Sequence, residues 1–273
     1  MSYAAMMVHL GPDYKWTKRV KLAADLASQF NSALIGIAGW LPVLPFALDD
    51  APVIADQNDA ERKKVTALLA EMGEKFKAST KQVGHVEWRG ILDYPRTLVP
   101  REVRAADLLV VGQETTHGSA YFSLDPGITV LRAGRPVLVV PAQIDAFSAK
   151  RVVIAWKDTR EARRAVSDAL PFLQEAEEVM VVEVCDRGTE AQSQKRVDDV
   201  AKYLERHKVV VKIKAYLHTR RSVASELIRY TKDQDADLIV TGGYGHSRLG
   251  EWIFGGVTRD LLTDSPVCCL FSH

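Results

Sequence analysis

Cysteine is scarce. Cys185, Cys268 and Cys269 are the only three in the chain, too few for a disulfide framework and without the paired spacing of a metal site. Long apolar runs are missing too; no stretch approaches the roughly 20 consecutive apolar residues of a membrane helix. The opening residues show no basic leader followed by an apolar run and a cleavage site, so no signal peptide is expected. Net charge is almost absent, at +1, which removes the electrostatic case for nucleic acid or an anionic membrane as partner. The seven histidines include no pair at helical ligand spacing, so no local zinc motif is present. Together these absences point to the cytoplasm.

What is present is core material. Hydrophobic residues make up 47% of the chain and charged residues 26%, the balance of a soluble globular protein. A length of 273 residues suits two ordinary domains or one large one. The basic knot Arg62-Lys63-Lys64 precedes Val65, Leu68, Leu69, Met72 and Phe76 at helical spacing, so it reads as the solvated face of an amphipathic helix.

The chain contains itself twice. Ala106-Asp107-Leu108-Leu109-Val110-Val111-Gly112 recurs 130 residues later as Ala236-Asp237-Leu238-Ile239-Val240-Thr241-Gly242. The same offset carries Leu131 to Leu261 and Arg135-Pro136-Val137 to Ser265-Pro266-Val267. Two copies are too few for a solenoid, so the pattern is a duplicated domain, with expected boundaries at residues 1–145 and 150–273. Asp107 and Asp237 stand before equivalent strands, which argues for a shared structural role in binding N–H groups.

Each copy alternates strands and helices. The spacing predicts strands near 6–10, 33–37, 85–89, 108–111 and 136–140, then near 152–156, 179–184, 209–217, 238–241 and 266–271. In the second copy helices are expected over 160–175, 191–206, 222–232 and 257–262, with Ser222 as N-cap. Alternation of this kind implies a parallel sheet covered on both faces by right-handed crossovers. The expected fold is two tandem, doubly wound (Rossmann-like or flavodoxin-like) five-stranded domains related by a pseudo-two-fold. The strand order is 2-1-3-4-5 or 3-2-1-4-5. Ligands of such sheets sit beyond the carboxyl ends of the strands at the switch point.

The loop after the fourth strand of the second copy is the segment that carries chemistry. Six glycines fall in the fifteen residues 242–256, against 17 in the whole chain. Glycine lets backbone N–H groups approach a ligand closely. Gly255-Gly256 precede the apolar helix from Val257, whose free N–H groups favour a phosphate. Thr258 offers a hydroxyl, and His246 and Arg248 offer charge. The alternative is a tightly turning connection with no ligand. The Gly-Lys-Ser/Thr of a Walker loop is absent, and Gly243-Tyr244-Gly245 is followed by Arg248 where a dinucleotide fingerprint needs glycine. A G-x-S-x-G elbow is also missing, because Gly250 falls one residue too late.

The spacing Gly242-x2-Gly245-x9-Gly255 resembles the nucleotide loop G-x2-G-x9-G-(S/T) of ATP-binding universal stress proteins. The flanking Ala236-Asp237-Leu238-Ile239-Val240 and Ser265-Pro266-Val267 resemble the same family. The resemblance implies an adenine nucleotide such as ATP, with or without Mg. By it, Gly242 and Gly245 would line the phosphates, while Gly255, Gly256 and Thr258 would meet phosphate and ribose oxygens. This chain has Gly256 where the family has Ser or Thr. The family's acidic residue after the first strand falls at Lys157, with Asp158 one position on. Either Asp158 takes the place of the acid, or the base contact is lost and Lys157 meets a phosphate. Family members commonly pair through their last strands, so the resemblance implies intramolecular pairing of the copies, with a further homodimer compatible. Slow ATP hydrolysis and a nucleotide-free protein scaffold are the competing expectations.

The corresponding loop of the first copy has Thr115 for the second glycine and Asp125 where Gly255 would stand. A carboxylate at a helix start occupies the anion position itself, so this copy is expected to keep the fold without a nucleotide.

Overall fold

The computed structural model describes residues 2–11, 16–42, 51–113, 123–218, 222–245 and 256–273. In the first half, strands β1 (Ala5–His9), β2 (Ala33–Gly39), β3 (Val86–Ile91), β4 (Leu108–Gly112) and β5 (Val137–Val140) alternate with helices α1 (Trp16–Phe30), α2 (Ala51–Ser79), α3 (Pro95–Glu102) and α4 (Pro126–Ala133). In the second half, β6 (Arg151–Trp156), β7 (Glu178–Cys185), β8 (Val211–His218), β9 (Leu238–Gly242) and β10 (Cys268–Ser272) alternate with α5 (Arg160–Asp168), α6 (Leu170–Glu175), α7 (Glu190–Arg206), α8 (Val223–Asp233) and α9 (Gly256–Asp264).

All ten strands join one sheet in the order β3-β2-β1-β4-β5-β10-β9-β6-β7-β8. Each half therefore follows 3-2-1-4-5, the second of the two expected orders. Every pairing is parallel except the central one, where β5 and β10 run antiparallel with Val139 opposite Cys269 and Val137 opposite Phe271. That junction relates the two doubly wound units by a pseudo-two-fold. The buried strands are continuous apolar runs, as a sheet covered on both faces requires. The edge strand β8 instead alternates half-buried and exposed residues.

One core lies on each face. Met6, Val8, Val152, Ile154 and Cys268 pack on one face, and Met7, Val153, Ala155 and Cys269 on the other. Adjacent residues of a strand point to opposite faces, so the two neighbouring cysteines enter different cores. Burial pushes both thiols up, Cys269 to about 12, and neither is a nucleophile at neutral pH.

The helix expected over 160–175 is two helices. Ala169 joins α5 to α6, and Pro171 stands in the first turn of α6. Proline has no N–H to donate to the preceding turn, so a continuous ladder fails there. Thr159 caps α5 by accepting from the Ala162 N–H, and Ser222 caps α8 by accepting from Ser225. The two repeated aspartates do equivalent work. Asp107 accepts from the backbone N–H groups of Ala4 and Ala5, and Asp237 from those of Lys150 and Arg151.

The halves are also joined away from the strands. Tyr3, Phe30 and Phe147 surround Phe172 with ring centroids 5.3 to 5.9 Å apart. The Tyr3 hydroxyl donates to the Asp168 carbonyl at 2.7 Å. Phe172 is 1% exposed, and burying a phenylalanine of this kind contributes about 1.5–3 kcal/mol.

Candidate functional site

In the second half β6 is flanked by β7 on one side and β9 on the other. The chain leaves these strands in opposite directions, which opens a crevice at their carboxyl ends. A cavity of about 250 Å³ fills it. The loop after β6 supplies Lys157 and Thr159, the loop after β9 supplies Tyr244 and Gly245, and the first turn of α9 supplies Gly256 and Thr258. Gly242 lines it as well. Ala155, Val184, Val223 and Leu227 give it an apolar wall.

The local sequence explains how tightly this corner is built. A Cβ placed on Gly242 would lie 2.5 Å from the backbone nitrogen of Ala162. Glycine is therefore needed for α5 to start directly over the end of β9. Tyr244 has a φ of 58°, the left-handed region that non-glycine residues seldom occupy. Its N–H donates to the Thr258 hydroxyl at 3.2 Å, which ties the glycine loop to α9. The Tyr244 hydroxyl reaches the first half, where it would stand 2.4 Å from a Cβ on Gly127. The absence of a side chain at Gly127 makes that approach possible.

Gly256, the first residue of α9, is different. A Cβ there meets nothing within 4 Å. Its N–H belongs to the first turn of a nine-residue helix, where amide groups have no partner within the helix.

The electrostatics are mixed. Glu161 is 4% exposed in the first turn of α5. Burial pushes its carboxyl up, but hydrogen bonds from Arg160, its own amide and Thr159 outweigh that and hold it below the ordinary range. Its Oε2 would lie 2.9 Å from a Cβ on Gly245, so an ionised carboxylate borders the glycine loop. Lys157 provides a cation in the cavity wall.

Of the residues singled out by sequence, Lys157, Gly242, Gly245, Gly256 and Thr258 line this one cavity. Asp158 does not. It pairs with Arg163 at 2.6 Å and lines a neighbouring cavity. His246, Arg248 and Gly255 lie outside the described residues. Thr159, Glu161, Val184, Val223 and Leu227 were not legible as site residues. Only Thr159 carried a signal, as a threonine directly before a helix start. Among the described residues no group of three or more His, Cys, Asp or Glu is placed to hold a metal ion, and no helix is long and apolar enough to cross a membrane.

Residues 148–272 match the sequence model of the Universal stress protein family. None of the curated proteins matches significantly. Among solved structures, a universal stress protein from Archaeoglobus fulgidus DSM 4304 shares the fold at a TM-score of 0.67 and 14% identity, covering 98% of each chain. A functionally unknown protein from Pseudomonas aeruginosa PAO1 does so at 0.58 and 13%, covering 98% of this chain and 92% of the other. Residues 148–272, which hold the cavity and its glycine loop, are by that match a universal stress protein family domain.

Proposed function

We propose that the second half, residues 150–273, binds an adenine nucleotide of the ATP type in the crevice between β6, β9 and α9. The first half, residues 1–145, acts as its fused structural partner in a cytoplasmic stress-response protein. One observation carries the reading: a single cavity has an apolar wall and a polar end. Ala155, Val184, Val223 and Leu227 suit the faces of a purine. Lys157, Thr159, Gly245 and the N-terminus of α9 at Gly256 offer a cation, a hydroxyl and backbone N–H groups to phosphate. Lys157 takes the phosphate role here, because Asp158 faces Arg163 outside the cavity. Mg would arrive on the phosphates of the nucleotide.

Binding without turnover fits better than slow hydrolysis. Hydrolysis needs a group that orients water, and the nearest loop carboxylate, Asp158, lines the neighbouring cavity and not this one. A nucleotide-free scaffold is the second reading. It is favoured by Glu161, whose buried, ionised carboxylate beside Gly245 repels an anion at that end of the loop.

The test is nucleotide release from protein purified without added ligand, followed by calorimetric titration with ATP, ADP and AMP. Wild type is expected to bind, and Gly245→Asp to lose at least about 100-fold in affinity, since it sets a second carboxylate against Glu161 and Thr159. No binding by wild type sinks the nucleotide reading and leaves the scaffold.

A further inference from the structure

Trp156 is shared between the nucleotide crevice and a second cavity of about 400 Å³, whose other walls come from α5, α7 and the loop between β6 and α5. This volume falls within the range of small-molecule pockets. Its apolar surface is made by Val166, Val200, Tyr203 and the indole of Trp156. Both signs of charge surround that surface: Arg163 and Arg196 on one account, Asp158 and Asp199 on the other.

The two arginines are held differently. Arg196 is locked by a two-pronged pair with Glu183, Nε at 3.0 and 3.1 Å and Nη2 at 2.6 Å, and Nη2 also donates to Ser193. Its Nη1 makes no hydrogen bond among the described residues, so a preorganised donor remains. Arg163 pairs with Asp158, but both side chains are more than half exposed. An exposed pair of this kind is held weakly and can exchange for charges on a ligand. Asp199 has only a loose 3.7 Å partner in Lys202.

A simple anion here would face Asp158 and Asp199, and a simple cation would face Arg163 and Arg196. A purely apolar ligand would make no use of the free Nη1 of Arg196 or of the loosely held Asp199. We propose that this cavity is a second small-molecule site, for a zwitterion with an apolar or aromatic body, the chemical class of the free apolar amino acids. The carboxylate goes to Arg196 and Arg163, the ammonium to Asp199 and Asp158, and the side chain lies between Tyr203, Val166, Val200 and Trp156.

The experiment is calorimetric titration of the full chain with L-phenylalanine and L-leucine, beside the single-charge analogues 3-phenylpropionate and phenethylamine. Saturable binding of at least one amino acid is expected, with its analogues weaker by about tenfold, the loss of one charge-assisted contact. Asp199→Asn and Arg163→Gln change exposed side chains, and each should weaken the amino acid by about tenfold while leaving the ATP titration unchanged. Three results overturn the proposal: no saturable binding of either amino acid at millimolar concentration, equal binding of the single-charge analogues, or binding indifferent to both substitutions.

Discussion

The two halves share a strand order and a repeated β-strand sequence, yet they fill the same crevice differently. The pairing register aligns Met6 with Val152, because they face the repeated residues Leu108 and Leu238. His9 then occupies the place of Ala155, and Gly112 that of Gly242. In the second half this corner is a cavity bounded by small residues. In the first half the imidazole of His9 is 5% exposed, and Arg19 lays its guanidinium over Gly112 while donating to the His9 carbonyl. Asp125 caps α4 by accepting from the Ile128 N–H, and Pro126 opens that helix where Gly256 opens α9. Duplication preserved the backbone; among the described residues, His9 and Arg19 occupy in the first half a corner that Ala155 and Gly242 leave to the cavity in the second.

The largest effect should come from exchanging the paired glycines. Gly242→Ala forces a methyl against the Ala162 backbone at 2.5 Å, which cannot yield, and should cost about 3 kcal/mol by urea unfolding. Gly112→Ala meets the end of the flexible Arg19 side chain and should cost under about 1 kcal/mol. Equal losses would mean that the two corners are built alike.

Acid is the next discriminator. Burial, then the nearby Arg19 charge, lowers the His9 pKa from 6.5 to about 3. Between those values the unfolded chain binds the extra proton and the folded chain does not. The contribution of His9 is thus intact above about pH 6.5 and is lost as pH falls, at about 1.4 kcal/mol per pH unit. Ala155 gives the second half no such group. His9→Leu should flatten this limb of a stability–pH curve, and an unaltered slope would place the acid sensitivity elsewhere.

The smallest effect sharpens the comparison from the other side. Gly256→Ser adds a hydroxyl at the start of α9 in space that is open to 4 Å. Nucleotide affinity should rise by about fivefold, the worth of one added hydrogen bond, with the melting temperature of the free protein unchanged. A loss of affinity would show that the phosphate lies away from this turn.

The sequence made the strands legible, because buried parallel strands are apolar runs and the Ala106–Gly112 repeat marked two of them at once. It left the strand order open between two possibilities. That order depends on pairings between residues far apart in the chain, such as Leu34 with Val86, which no local pattern records. Glycine spacing located one wall of the site. The opposite wall, at Val184, Val223 and Leu227, was hidden because these residues look like any other core positions. Lys157 and Asp158 were inseparable in sequence, yet one lines the crevice and the other turns to Arg163. Adjacent residues leaving a strand diverge in direction, and only the loop that follows settles which faces inward. The single helix expected over 160–175 ignored Pro171, a local signal that was present and decisive.

The antiparallel contact of β5 with β10 has a further meaning in terms of stoichiometry. Two separate subunits meeting on such an edge would associate according to their concentration, and identical copies would always compete for one another. Here the two partners are tethered, so the effective concentration of each half for the other is fixed by the chain. Dilution cannot part them, and every assembled unit contains one half of each kind. The corner filled by His9 and Arg19 is therefore always paired with the cavity of the second half, in a ratio set at translation and not by mass action.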